Sequence, residues 1–529
     1  MSAESYGMKK YMKGALLLTV AALIVKVLSA VYRVPFQNLV GDEGFYVYQQ
    51  VYPFISFFVV WTSGGFAVAI SKVLADTDDK DVKRAISRVI FSFLTILSLL
   101  FFSLLFFGAN TLAGWMGDMQ LAPLLQTGAF VTLCMPTLAL LKGVFQSKGQ
   151  MEYVAYAQVF EQLIRVMIIL VGTVIVMVTS KSVYAAGNMA VLGTVVGEIA
   201  GVILLLFFMR TIKCKSRTVP TIKKWVIIKD ITLFSISVSL SSLMLLGFQL
   251  VDSFTVYTML VENGVSAADA MVEKGIYDRG QPLVQLGIVI ASSLALAIVP
   301  LIAQKAKTSG RGAIPFIQLT YRTALLFGVA AALGLIVVMP YVNEMLFTSQ
   351  DLSGVLMLYV VQIVPLSIIL TFTAILQGYS KLKVPALIII TGFLLKCFGN
   401  IMLIPQFGVT GVAVASNTGL FVSAILLMLY VKRTAKLVLA PFVFYKHVAL
   451  ASIAMVLAVG VSAVLLDVVL SGISGRTYAA IMSGVLIMVG ASTFITIIAK
   501  KRVLKEKEWF LIPFGRRMAL YQLWLNKRK

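Results

Sequence analysis

GALLLTVAALIVKVLSAVYRVPF, residues 14–36, is long enough to cross a bilayer and carries two cations inside it. About 20 apolar residues in a helix rising 1.5 Å per residue span ~30 Å of hydrocarbon. A cation there costs roughly 2.5–3.5 kcal/mol on insertion scales, so it needs a partner or a water-filled cavity. Lys26 and Arg33 are seven residues apart, two helical turns, which predicts that they share one face. The same conflict recurs downstream. Arg165, Arg279 and Lys396 lie inside other apolar spans, and Arg322 lies at the edge of one. About four acids (Glu161, Glu198, Asp252 and Asp278) share these spans. The enclosed polar surface is then neutral to mildly positive and suits an anionic ligand better than a cationic one.

Composition agrees with that reading. Of 529 residues, 60% are hydrophobic and 13% charged, which excludes an ordinary soluble chain. Fourteen spans are expected, near 14–34, 46–71, 87–110, 122–142, 153–179, 184–209, 231–257, 276–303, 323–343, 354–378, 384–404, 408–431, 447–470 and 477–499. Of 45 Lys and Arg, 36 fall in the terminal segments and even-numbered loops, against three (Lys181, Lys274 and Arg476) in the odd ones. This asymmetry predicts cytoplasmic termini and an even helix count. It also accounts for the net charge of +23, so a nucleic-acid partner is not expected. Cys134, Cys214 and Cys397 lack metal-ligand spacing and predict no disulfide framework. His447, at the start of a span, reads as interfacial. The first apolar segment has no small-residue cleavage site and reads as a retained helix.

The chain repeats itself at nearly one offset. Phe145-Gln146-Ser147-Lys148 returns as Leu376-Gln377-Gly378-Tyr379, Gly44-Phe45-Tyr46 as Gly275-Ile276-Tyr277, and Arg165 as Lys396. Phe66–Ile70 returns as Leu294–Ile298, and Gly197 as Gly419. The fold expected is all-α and polytopic. It has two pseudo-symmetric six-helix lobes of like orientation, 1–227 and 228–440, and an appendix, 441–529, of two helices with a basic amphipathic tail. Such a tail suits an anionic cytoplasmic leaflet.

The candidate chemistry lies with the buried charges. Arg33 and Arg279 can clamp a phosphate bidentately across the lobe interface, or snorkel to the outer headgroups. Lys26 sits deeper and favours a cavity. Asp278 can orient Arg279, bind a cation or cap its helix, and Gly280 and Pro282 loosen that helix. Glu161, one turn before Arg165, predicts a neutralising pair. Lys396 has no acid within a turn and is expected to face a cavity. Glu198, Asp252 and Glu161 are candidates for binding a coupling proton or Na⁺. Tyr46, Tyr48, Gln49, Gln50 and Tyr52 read equally as sugar contacts or as an aromatic belt. No P-loop, Cys/His cluster or nucleophile–base pair is present, so neither an enzyme nor a cofactor or metal is expected.

Four stretches carry a family resemblance: Lys26–Arg33, Gly41–Tyr46, Ser63–Lys72 and Tyr277–Leu283. Through them the chain resembles the MOP (multidrug/oligosaccharidyl-lipid/polysaccharide) exporter superfamily. The branch is the polysaccharide-biosynthesis group of SpoVB, YtgP and YabM type, neighbour of the MurJ-type lipid II flippases. The resemblance implies MATE-like paired lobes around a cavity, in the plasma membrane. It implies alternating access that carries a polyprenyl-diphosphate-linked sugar outward; cell-envelope synthesis proteins are candidate partners. In the MurJ type, basic residues of helix 1 and an Asp-Arg pair of helix 8 matter, which Lys26, Arg33, Asp278 and Arg279 match. A basic residue of helix 2 is missing, because Tyr46–Trp61 holds no Lys or Arg. The alternatives are a cation-coupled exporter of drugs or amphiphiles, which needs cavity carboxylates, and a non-transporting scaffold for envelope synthesis.

Overall fold

The computed structural model describes residues 17–18, 20–179, 182–210, 223–289, 291–293, 314–379, 381, 383–435, 437–509 and 515–527. The basic N-terminus, linker residues 211–222 with Cys214, and the repeat segment 294–298 lie outside them.

Among the described residues the chain is helical, with no strand. Among the described residues, eleven helical stretches are long and apolar enough to cross a membrane. Two of these are kinked at a glycine that takes a backbone conformation L side chains rarely adopt. Val20–Ala75 is broken at Gly41 (φ 72°), giving α1 (20–40) and α2 (42–75). Lys383–Ala435 is broken at Gly408 (φ 53°), giving α11 (383–407) and α12 (409–435). Each pair stands where two spans were expected. The first differs in extent, because α1 runs on to residue 40 and α2 starts at residue 42. The other spans are α3 (Lys80–Phe107), α4 (Ala122–Ser147), α5 (Met151–Thr179), α6 (Val183–Met209) and α7 (Lys224–Glu262). They continue with α9 (Ile314–Phe347), α10 (Ser353–Gly378), α13 (Phe442–Val469) and α14 (Gly475–Lys500). The expected eighth span begins as α8a (Ala267–Asp278) and α8b (Gly280–Gly287). A short helix, α15 (Gly515–Lys527), follows α14.

Local sequence explains several starts and breaks. The Asp79 carboxylate caps α3, accepting from the amide of Asp81 at 2.7 Å. Regular helix lapses at Tyr32, Arg279 and Gln362. Each stands three residues before a proline: Pro35, Pro282 and Pro365. Proline has no N–H for the carbonyl four residues back, and its ring crowds that carbonyl. Pro53 and Pro136 are carried within α2 and α4 without such a lapse. A π-helical turn, Trp61–Phe66, interrupts α2. Such turns unstitch one hydrogen bond and recur at functional positions.

The chain forms two compact units, Met1–Asp278 with Asn400–Pro405, and Arg279–Gly399 with Gln406–Lys529. The lobe boundaries 1–227, 228–440 and 441–529 remain an expectation beside this division. In the first unit, Phe66, Ile70, Ile90, Leu94, Met135 and Ile231 close a core among α2, α3, α4 and α7. α5 packs on α6 through Gly193, Gly197 and Gly201, a small-residue stripe that lets backbones approach closely. In the second unit, α14 packs beside α13 and α9, where the Arg476 guanidinium donates to the carbonyl of Met345 at 2.8 Å.

α8a lies against the turn between α1 and α2 so closely that a Cβ on Gly275 would collide with the backbone carbonyl of Asp42. Backbone cannot swing aside as a flexible side chain can. Gly275→Val is therefore expected to destabilise the protein by roughly 1–3 kcal/mol. The measurement is thermal unfolding in detergent, and an unchanged midpoint would contradict the close approach.

Candidate functional site

Lys26 and Arg33, which their spacing puts on one face, differ in exposure. Lys26 is exposed, whereas Arg33 has no exposed surface. Arg33 stacks over the ring of Tyr52, its guanidinium carbon 4.4 Å from the centroid. The phenol groups of Tyr32 and Tyr48 surround it as well, and their oxygens lie 2.7 Å apart. All three guanidinium nitrogens are buried, and none makes a hydrogen bond of normal geometry to a described residue. Burying an unpaired ion costs several kcal/mol, and a desolvated cation–π contact returns only about 2. Phenols alone leave this cation under-compensated.

Arg165 reaches the same tyrosines from α5. Tyr48, Tyr32 and Tyr52 are its main electrostatic neighbours. The expected Glu161–Arg165 pair does not form. Glu161 instead takes the ammonium of Lys142 at 2.9 Å, and Lys142 also donates to the Ser63 hydroxyl at 2.9 Å. Lys142 ends the expected span 122–142 and is counted with the cytoplasmic loop that follows, but α4 continues to Ser147 and buries it completely. Its partner Ser63 sits in the π turn of α2. Glu198, 6% exposed, faces Lys142 and Arg165 from α6. Gly197 and Gly201 of α6 pack closely on Glu161.

A third group lies at the end of α8a. Lys274, expected in an exposed loop, is 2% exposed and holds Asp278 at 2.6 Å. Asp252 of α7 accepts from the Asn400 amide at 3.2 Å, and Asn400 also donates to Thr255 at 2.8 Å. Asp252 and Arg33 are both electrostatic neighbours of Asp278. Asp278 thus pairs with Lys274 rather than serving Arg279.

In the second unit Arg279, 1% exposed, donates to Asn343 Oδ1 at 2.8 Å and Ser349 Oγ at 3.0 Å, beside the Phe347 ring. Neither Arg33 nor Arg279 is exposed as a snorkelling side chain would be. Lys396 is fully buried on α11 and bonds the Ser416 hydroxyl of α12. Tyr46, Tyr48, Gln49 and Gln50 are buried too, and Gln50 donates to the Ser253 carbonyl at 3.2 Å. They are interior groups, not a surface belt. Among the described residues no cluster of three or more His, Cys, Asp or Glu could hold a metal ion.

The sequence pattern of the family described as "Polysaccharide biosynthesis protein" matches residues 11–305. The chain is 34% identical to the uncharacterized membrane protein YabM of Bacillus subtilis (strain 168), over 98% of each chain. It is 26% identical to stage V sporulation protein B of that organism, over 79% of this chain and 82% of the relative. It is 23% identical to the lipid II flippase MurJ of the same strain, over 80% and 83%. Among solved structures, a lipid II flippase MurJ in an inward closed conformation superposes with a TM-score of 0.68 at 13% identity. That match covers 92% of this chain and 99% of that one. An inward-facing multidrug resistance MATE family transporter of the MOP superfamily gives 0.59 at 15% identity, over 80% and 98%.

Proposed function

The chain belongs to the polysaccharide biosynthesis protein family of the MOP superfamily, and from that premise we propose that it is a flippase for a polyprenyl-diphosphate-linked sugar. It is a multi-pass membrane protein and not an enzyme. In this reading it works in the plasma membrane with both termini cytoplasmic, moving the lipid from the inner to the outer leaflet by alternating access. The observation that carries the reading is Arg33, a fully buried guanidinium among phenols with no hydrogen-bonded acid. An anionic headgroup supplies what that cation lacks, and a guanidinium fork fits phosphate oxygens. Lys26, Arg279 and Lys396 are further candidates for contact with the diphosphate.

A drug exporter coupled to H⁺ or Na⁺ would depend on uncommitted carboxylates. Here Glu161 and Asp278 are each engaged by a lysine, and Asp252 accepts from Asn400. Glu198 and Asp252 remain candidates for coupling. A scaffold role leaves the buried cations without a purpose.

The test is leaflet exchange of a fluorescent undecaprenyl-diphosphate sugar by the protein in liposomes, beside efflux of a cationic dye. Exchange of the lipid without dye efflux is expected. Dye efflux lost in Glu198→Gln or Asp252→Asn, with no lipid exchange, would move the assignment to the exporter. Neither activity, with a membrane potential and ion gradients imposed, would leave the scaffold.

A further inference from the structure

Arg33 and Arg165 come from helices far apart in sequence, α1 and α5, yet both close on the three phenols of Tyr32, Tyr48 and Tyr52. The phenols hold one another. The Tyr32 and Tyr48 oxygens lie 2.7 Å apart, and the Tyr48 and Tyr52 rings 5.8 Å apart. Two like charges at one aromatic cluster repel, and phenols do not neutralise them. The nearby acids are held elsewhere or stand off. Glu161 pairs with Lys142 at 2.9 Å, and Asp278 pairs with Lys274 at 2.6 Å. Glu198 faces Arg165 with no ion pair within 4 Å among the described residues. Arg165 Nε and the three nitrogens of Arg33 are buried and make no hydrogen bond of normal geometry to a described residue, with phenol groups as their neighbours.

We infer that Arg33 and Arg165 form one two-guanidinium site for a phosphate or diphosphate group, with Tyr52 as part of its wall. This rests on the reading that the substrate carries a diphosphate. Arg165 and Tyr52 are half-buried while Arg33 is enclosed, so the anion enters past Arg165 and Tyr52 and reaches Arg33 behind them. Two forks can divide the oxygens of a diphosphate, which one arginine cannot do bidentately on both phosphates. Arg165 is thereby a substrate residue and not the partner of Glu161. The phenols keep the cations apart and supply hydroxyl donors to the remaining oxygens.

The experiment is calorimetric titration of the full chain in detergent with two probes, inorganic pyrophosphate and farnesyl diphosphate. The proteins are wild type, Arg33→Gln, Arg165→Gln, Arg165→Lys and the surface control Lys501→Gln, each checked by its melting midpoint. Losing a charge-assisted bidentate contact is expected to raise Kd by about 10- to 100-fold in Arg33→Gln and in Arg165→Gln. Arg165→Lys, which keeps the charge and loses the fork, is expected to fall between, and it decides the matter if Arg165→Gln does not fold. Binding of both probes points to a site for any diphosphate. Binding of farnesyl diphosphate alone points to a lipid-borne one, and either result supports the pair. Weakening in only one of the two arginine positions overturns the pair while leaving the flippase reading to its own exchange assay. No binding of either probe by wild type overturns the site itself.

Discussion

Arg33→Glu is expected to reduce leaflet exchange of a polyprenyl-diphosphate sugar by about 100-fold or more in proteoliposomes. Two effects act in one direction. The substitution removes the enclosed cation that the headgroup would neutralise. It also leaves a carboxylate among three phenols, near Asp278, where the substrate's own charge repels it. Truncating one partner of a buried charge pair costs roughly 2–5 kcal/mol, and each 1.4 kcal/mol is a factor of ten. Arg33→Lys keeps the charge without the fork and should retain part of the exchange. A folded Arg33→Glu protein that exchanges lipid at the wild-type rate would remove Arg33 from the transport path.

The largest stability effect is expected at Lys142. Lys142→Met leaves Glu161 buried on α5 without its ammonium and facing Glu198. Breaking a buried ion pair from one side costs roughly 3–5 kcal/mol, because the remaining charge is stranded. Glu161→Gln alone should destabilise in the same way by stranding Lys142. The double variant Lys142→Met with Glu161→Gln should recover most of the loss, since neither charge is then left over. Unfolding midpoints of the four proteins in one detergent close the cycle. Purely additive losses would show that the pair is not coupled. The Ser63 contact adds a second readout. If Lys142 pins the π turn of α2, Lys142→Met should speed hydrogen exchange across Trp61–Phe66.

Much of this protein is legible in one dimension because the bilayer imposes one-dimensional rules. A span must be about 20 residues long and apolar, so α3, α5, α6, α13 and α14 stand close to their expected places. Proline's missing N–H is likewise local, which is why helix 8 lapses at Arg279, ahead of Pro282, as the Gly280 and Pro282 pair implied. Positions that demand a positive φ are also local, and Gly41 and Gly408 mark the turns within two long helical stretches.

Charge partners were not legible. Glu161 and Arg165 satisfy the one-turn rule, yet Glu161 bonds Lys142, 19 residues away. The rule gives a few tenths of a kcal/mol on an exposed helix. Packing of α5 on α6 and α4 decides where a buried carboxylate ends up, and its stake is several kcal/mol. Lys142 and Lys274 were counted as loop residues because the end of a helix is the least marked feature of a sequence. Gly143, beside Lys142, packs its backbone against Ile70 of α2, a contact that only the fold shows. Lys26 and Arg33 differ for a similar reason, since spacing can put both on one face but packing decides which of them is enclosed. By itself, then, the sequence determined the membrane class, the placement of most helices and the list of cations that must be explained. Tertiary structure decided which cations are already answered by an acid and which, like Arg33 and Arg165 around three shared tyrosines, are not. The physical reason is that hydrophobicity is a property of each residue, whereas neutralising a buried charge is a property of pairs brought together by packing.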